Sequence, residues 1–154
     1  MIQRKQTLFL LFSILLMVGY IFAPLIKVEG GGTQAYYLYP YSMVFSKNVN
    51  FPIIGHYFVL LCLVSAGIAI GLNLVTIFLF KFRKAQILFC WLSILPLLYT
   101  FCYVYYRWST TETIQDQYFY FGNISPLTAI VFVFLAMFYI RKDEELVKSV
   151  DRLR

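Results

Sequence analysis

Lys81-Phe82-Arg83-Lys84 constrains this chain more than any other stretch. On its N-terminal side, Tyr57 to Phe80 runs 24 residues without a formal charge, and on its other side Ala85 to Tyr106 runs 22 more. About 20 residues of helix cross the roughly 30 Å apolar core of a bilayer, so each flank is long enough to span. Four residues carrying three cations between two such flanks read as the tight turn of an antiparallel helix pair. Loops rich in Lys and Arg are retained on the cytoplasmic side, so this one turn orients two helices.

The remaining charges agree with that orientation. Only 13% of the 154 residues are charged and 61% are hydrophobic, whereas soluble domains carry about a quarter charged residues. Arg4, Lys5, Lys81, Arg83, Lys84, Arg141, Lys142, Lys148, Arg152 and Arg154 lie at the two termini and the central turn; Lys27, Lys47 and Arg107 lie elsewhere. Ten cations against three is a positive-inside bias that places both termini in the cytoplasm. A net charge of +6 so distributed faces anionic headgroups. The basic residues sit at membrane edges with no nucleic-acid-binding motif beside them, so the expected partners are the lipid bilayer and a membrane or cytoplasmic protein, not nucleic acid.

Four spans follow, at about 8–26, 57–80, 85–106 and 124–140, with outer loops at about 27–55 and 107–123. The apolar run Leu8–Ile26 is longer than the 7–15 residues, roughly, of a secretory signal, and Tyr20-Ile21-Phe22-Ala23-Pro24 offers no small-x-small cleavage site. It reads as an uncleaved first helix that Pro24 stops or kinks. In the first outer loop, Gly30-Gly31-Gly32 is a flexible break. Tyr36 to Tyr41 and Met43-Val44-Phe45 have strand-like composition, compatible with a short hairpin that Pro40 confines to an edge. The tyrosines there, like Tyr103, Tyr105, Tyr106 and Trp108 around Arg107, read as an interfacial belt.

Gly67 and Gly71 form the G-x-x-x-G spacing that lets a neighbouring backbone come close, and Asn73, about 200° round the helix from Gly71, needs a hydrogen-bond partner away from lipid. These three are the candidate helix-packing residues. In the third span Pro96 frees a carbonyl one turn earlier, which Ser93 is placed to help satisfy. Ser125-Pro126 reads as N-cap and first residue of the fourth helix. The 15 residues Pro126–Ile140 make about 22 Å, short for a span unless snorkelling of Arg141 and Lys142 makes up the difference. Over residues 141–154 the helix continues as an amphipathic tail. Leu146, Val150 and Leu153 recur at i, i+4, i+7 as one apolar stripe, and Glu144 and Lys148 form an i,i+4 pair in the favoured order. That stripe is the candidate face for a partner or for the membrane surface, against the plainer alternative of a solvated extension.

Both ends have a familiar look. Met1-Ile2-Gln3-Arg4-Lys5-Gln6-Thr7 and the closing string Ile140-Arg141-Lys142-Asp143-Glu144-Glu145-Leu146-Val147-Lys148-Ser149-Val150-Asp151-Arg152-Leu153-Arg154 resemble a bacterial family of small four-helix inner-membrane proteins from one Gram-negative phylum. That family is catalogued as a domain of unknown function. The resemblance implies a multi-pass protein of the cytoplasmic membrane with both termini inside, and it carries no catalytic residues to transfer.

The chemistry-bearing residues are few. His56 is the one histidine, which excludes a bis-histidine haem or a histidine-built metal site within one chain. Cys62, Cys90 and Cys102 fall inside apolar runs without a C-x-x-C pair and read as free thiols. The spans hold no Asp, Glu, Lys or Arg, so a self-contained ion-coupled pump lacks its intramembrane charges. Nucleotide-binding, nucleophile-elbow and zinc-protease motifs are missing. The expectation is an all-α membrane protein, a four-helix antiparallel bundle with an amphipathic cytoplasmic tail helix, without cofactor, metal or catalytic residues. It is read as a non-enzymatic accessory or scaffold subunit. The alternative is a lipid- or quinone-binding protein using its aromatic outer loops, and a third reading is an oligomeric channel or exporter with Asn73 and Ser65 lining a path between protomers.

Overall fold

The computed structural model describes residues 3–23, 26–29, 35–38, 40, 54–80, 82–110 and 121–152. Four helices, α1 (Gln3–Phe22), α2 (Ile54–Phe78), α3 (Arg83–Thr110) and α4 (Phe121–Arg152), carry the fold, with strands β1 (Ile26–Glu29) and β2 (Ala35–Leu38) between α1 and α2. Lys5–Phe22, Leu60–Phe78, Arg83–Tyr106 and Gly122–Ser149 are each long and apolar enough to cross a membrane. The chain is a multi-pass membrane protein. Each helix packs on its predecessor, and α1 closes the ring on α4, its most extensive contact.

A single spacing builds the bundle. The buried positions step by four and three along every helix: Gln6, Leu10, Ser13, Met17, Tyr20 in α1; Cys62, Ala66, Ala69, Asn73, Thr76 in α2; Gln86, Cys90, Ser93, Leu97, Thr100, Val104 in α3. In α4 the series is Gly122, Pro126, Ala129, Val133, Ala136, Ile140, Asp143. The mean period of 3.5 suits helices that wrap left-handed and cross near about +20°. The seam is small or polar at most of these positions, while Leu8, Phe12, Leu15, Phe22, Phe78, Leu95 and Phe138 point outward. In lipid the outside is already apolar, so close backbone approach and interior hydrogen bonds hold helices together. Aromatic pairs reinforce the margins, Phe9 stacking on Tyr139 at 5.3 Å and Trp91 meeting Phe134 edge-on at 5.9 Å.

Side-chain bonds tie α2 to both neighbours. Asn73 Nδ2 donates to Ser13 Oγ of α1 at 3.2 Å, and the Ser65 and Thr100 hydroxyls meet at 2.8 Å between α2 and α3. Ser65 Oγ also reaches Cys62 O, and Thr100 Oγ1 reaches Pro96 O, each at 2.8 Å. Two hydroxyls own two protons, so only two of these three contacts are hydrogen-bonded at any instant. At the foot of α2, Leu79 N donates to Val75 O, and Gln86 Nε2 donates to Thr76 O at 3.0 Å. Both carbonyls lie in the last turn of α2, which lacks helical donors of its own. Gln86 therefore caps the helix that precedes its own.

Several sequence expectations change here. Helix α1 stops at Phe22, with Ala23 N donating to Gly19 O as its last turn, four residues before the expected end. The hairpin pairs Ile26 with Leu38 and Glu29 with Ala35. The strand paired with Ala35–Leu38 thus lies before the three glycines, and Met43–Phe45 falls outside the described residues. Ser125 is not an N-cap, because α4 begins at Phe121. Pro126 removes the amide that would bond to the Gly122 carbonyl, and Ser125 Oγ donates to that carbonyl instead, at 3.0 Å. The early start gives an uncharged run of 20 residues, Phe121–Ile140, about 30 Å of helix, so no shortfall needs to be made up. Ser93 bonds to Cys90 O at 2.8 Å and not to the Leu92 carbonyl that Pro96 frees, since a helical serine reaches back three or four residues.

Candidate functional site

The concentration of charge is at the end of the bundle where α1 starts, α2 turns into α3, and α4 leaves the apolar layer. Phe82 N donates to Leu79 O, and Gln86 N donates to Phe82 O, so α3 begins immediately after a turn of minimal length. That turn points Arg83 at α4, where its Nη1 donates to the Asp143 main-chain oxygen at 2.8 Å. Asp143 is buried although it lies beyond the uncharged run of α4, which ends at Ile140. The first turn of the tail is therefore packed against the bundle, and α4 runs on without a break to Arg152.

Between the two elements is an open cleft of about 640 Å³, lined by Phe82, Arg83, Lys84 and Ala85 of the turn and by Glu144, Val147 and Lys148 of the tail. Lys148 Nζ and Glu144 Oε1 are 2.7 Å apart, the expected i,i+4 pair. The hydrogen bond from Lys148 holds the Glu144 carboxyl below its ordinary range, aided by the nearby positive charges of Lys84 and Arg83. Three cations against one carboxylate leave the cleft positive. No group of three metal-ligating side chains occurs among the described residues.

Four-helix architecture, four uncharged spans and basic termini together match what the two ends of the sequence resemble. The chain belongs to the family described as a domain of unknown function, DUF4293. The family model covers residues 2–153, nearly the whole chain. No curated protein and no solved structure matches it. The family assignment therefore fixes what the chain is related to, and its chemistry rests on its own residues.

Of the candidate packing residues, Asn73 is fully buried and bonded across to α1. Gly67 and Gly71 are on the reverse of α2, where a Cβ added to either would meet nothing within 4 Å. Among the described residues the G-x-x-x-G spacing brings no backbone close; Ala66 and Ala69 occupy the packed side instead. Leu146 is 47% exposed on the tail. Val150 lies in α4 with its side chain outside the described residues, as does the whole of Leu153. Ser65 and Asn73 face the interior of one chain and are bonded there, so neither is on a surface between protomers. Of the aromatic segments of the outer loops, Tyr39, Tyr41, residues 43–45 and residues 118–120 lie outside the described residues, as do the side chains of Tyr36, Tyr37, His56, Arg107 and Trp108.

Sequence reasoning missed Gln6, Gln86, Thr76 and Thr100 as seam residues and the Arg83–Asp143 contact. Thr76, three residues after Asn73, and Gln86 and Thr100, seven residues either side of Ser93, were detectable as polar positions at helical spacing; Gln6, seven residues before Ser13, lies ahead of the apolar run. The Arg83–Asp143 contact carried no local signal, because it joins residues 60 apart in sequence.

Proposed function

We propose that the chain is a non-enzymatic accessory or scaffold subunit of a complex in the bacterial cytoplasmic membrane, with both termini and the basic turn in the cytoplasm. The observation that carries this reading is the unbroken passage of α4 from the bundle into a tail whose root is held by Arg83 and whose Leu146 is left exposed. A helix anchored at its base loses little further freedom on binding, so it presents a stripe in one orientation at low entropic cost. Leu146, Val150 and Leu153 supply i, i+4, i+7 anchors of the kind that a groove in a partner reads. The bias of Lys and Arg supports the orientation.

The test is isolation from native membranes in gentle detergent, comparing the intact chain with a Leu146→Ala, Val150→Ala, Leu153→Ala variant. A stoichiometric partner lost on substitution, with the bundle still folded, is the expected result. Identical co-purifying proteins in both samples, or none in either, refutes the scaffold reading. Fusion of a compartment-sensitive reporter after Arg154 checks the orientation, and activity on the outer side overturns it.

A further inference from the structure

We propose that the cleft between the α2–α3 turn and the root of the tail binds the phosphate headgroup of an anionic phospholipid from the leaflet that surrounds it. The cleft has two chemically different walls. Arg83, Lys84 and Lys148 supply positive charge, while Phe82, Ala85 and Val147 supply apolar surface. Phe82 is 65% exposed and Val147 44%, the latter two helical turns beyond the end of the uncharged run of α4 at Ile140. A phosphodiester carrying acyl chains matches both walls at once, the phosphate against the cations and the first carbons of the chains against Phe82 and Val147. A free phosphate leaves the apolar wall uncovered.

The charges are placed to receive an anion from outside. Glu144 is the one carboxylate in the lining, and its Oε1 is already 2.7 Å from Lys148 Nζ. Arg83 spends one nitrogen on the Asp143 carbonyl, which fixes the guanidinium in position and leaves its other donors for a ligand. Lys84 is exposed at the mouth. The start of α3 adds to the field, because the first amides of a helix carry the positive end of its dipole and Arg83, Lys84 and Ala85 open α3 at this cleft. Basic pockets between helices at the membrane surface are suited to lipid headgroups. The volume, about 640 Å³, accommodates a glycerophosphate with the start of its chains.

The experiment is native mass spectrometry of the full-length protein in detergent, titrated with phosphatidylglycerol or phosphatidylcholine. The unsubstituted chain should retain one phosphatidylglycerol in preference to phosphatidylcholine. Lys84→Gln with Lys148→Gln should weaken that binding by about thirtyfold, taking each lysine as worth roughly a factor of five at a membrane surface. Val147→Glu, which leaves both lysines in place, should weaken it as well. Arg141→Gln with Lys142→Gln, which changes charge at the same end but outside the cleft, should leave it unchanged. Equal retention of the two lipids overturns the proposal. So does equal weakening by the Arg141/Lys142 pair, which would mean diffuse attraction to the basic end. Displacement of the lipid by soluble glycerol phosphate at comparable concentration would show that the apolar wall contributes nothing, and also overturns it.

Discussion

Replacing Arg83 with Met should free the tail without loosening the bundle. The substitution keeps the unbranched apolar stem and removes the guanidinium that donates to the Asp143 carbonyl at 2.8 Å. Helical geometry already directs the Val147 amide to that carbonyl, so the substitution removes a second donor and strands no acceptor. A hydrogen bond from a charged group contributes about 1.5–3 kcal/mol. Arg83 is only half-buried, and water replaces part of what is lost, so the loss falls just below that range, at about 1.4 kcal/mol, which is tenfold in an equilibrium constant. Hydrogen exchange measures that constant locally. Amides over 143–149 should exchange about tenfold faster in the variant, while those over 90–100 in α3 and 129–137 in α4 keep their rates. Lys84→Met, which removes a neighbouring cation bonded to no carbonyl of α4, is the control and should change neither set. Unchanged exchange over 143–149 would refute the idea that Arg83 holds the tail. A uniform increase through all four helices would refute the claim that the contact is local.

The Asn73–Ser13 bond should give a coupling of about 0.6 kcal/mol and no more than about 1.7 in an Asn73→Ala/Ser13→Ala double-mutant cycle, the range for hydrogen bonds between membrane helices. Unfolding in detergent with added denaturing surfactant measures it, and strict additivity would mean that the two side chains do not act together. Gly67→Leu with Gly71→Leu should leave the stability of the isolated chain unchanged or slightly raised, because nothing lies within 4 Å of either added Cβ and glycine is about 1 kcal/mol worse than alanine inside a helix. A lowered midpoint in the same assay would show that this face is packed after all.

The four spans and their antiparallel order were legible because length without charge is a requirement the bilayer imposes on every crossing. The tight basic turn was legible for the same reason. Which face of each helix turns inward was not. In a soluble protein the core is apolar and the surface polar, but here the outward faces of α2 and α3 are themselves rich in Leu, Val and Ile, and only the rhythm of small and polar residues marks the seam. Asn73 stood out as the one amide within its uncharged run, and its need for a partner was met. Gly67 and Gly71 stood out by spacing alone, and spacing does not say whether a neighbour is there. Ser125-Pro126 misled because serine before proline suits a helix start as well as it suits a repaired proline inside a helix. The two are separated only by where the donor goes, which is Gly122 O. The cleft drew on all of these uncertainties, since it needs both the turn and the docked tail in place.

Closure of the ring by α1 against α4 has a consequence for synthesis. The residues that enclose α1 begin at Phe121, 99 positions after α1 ends at Phe22. At about 5–20 residues per second, a ribosome takes roughly 5–20 s to cover that distance. Throughout that interval α1 lacks α4, its most extensive contact, and Phe9 lacks Phe132 and Tyr139, on which it ends up stacked. Made before α4, α1 is finished only when α4 arrives. Shelter during insertion, from lipid or from the insertion machinery, therefore matters most for α1, and seam substitutions there should cost more in yield of folded protein than in the stability of whatever folds.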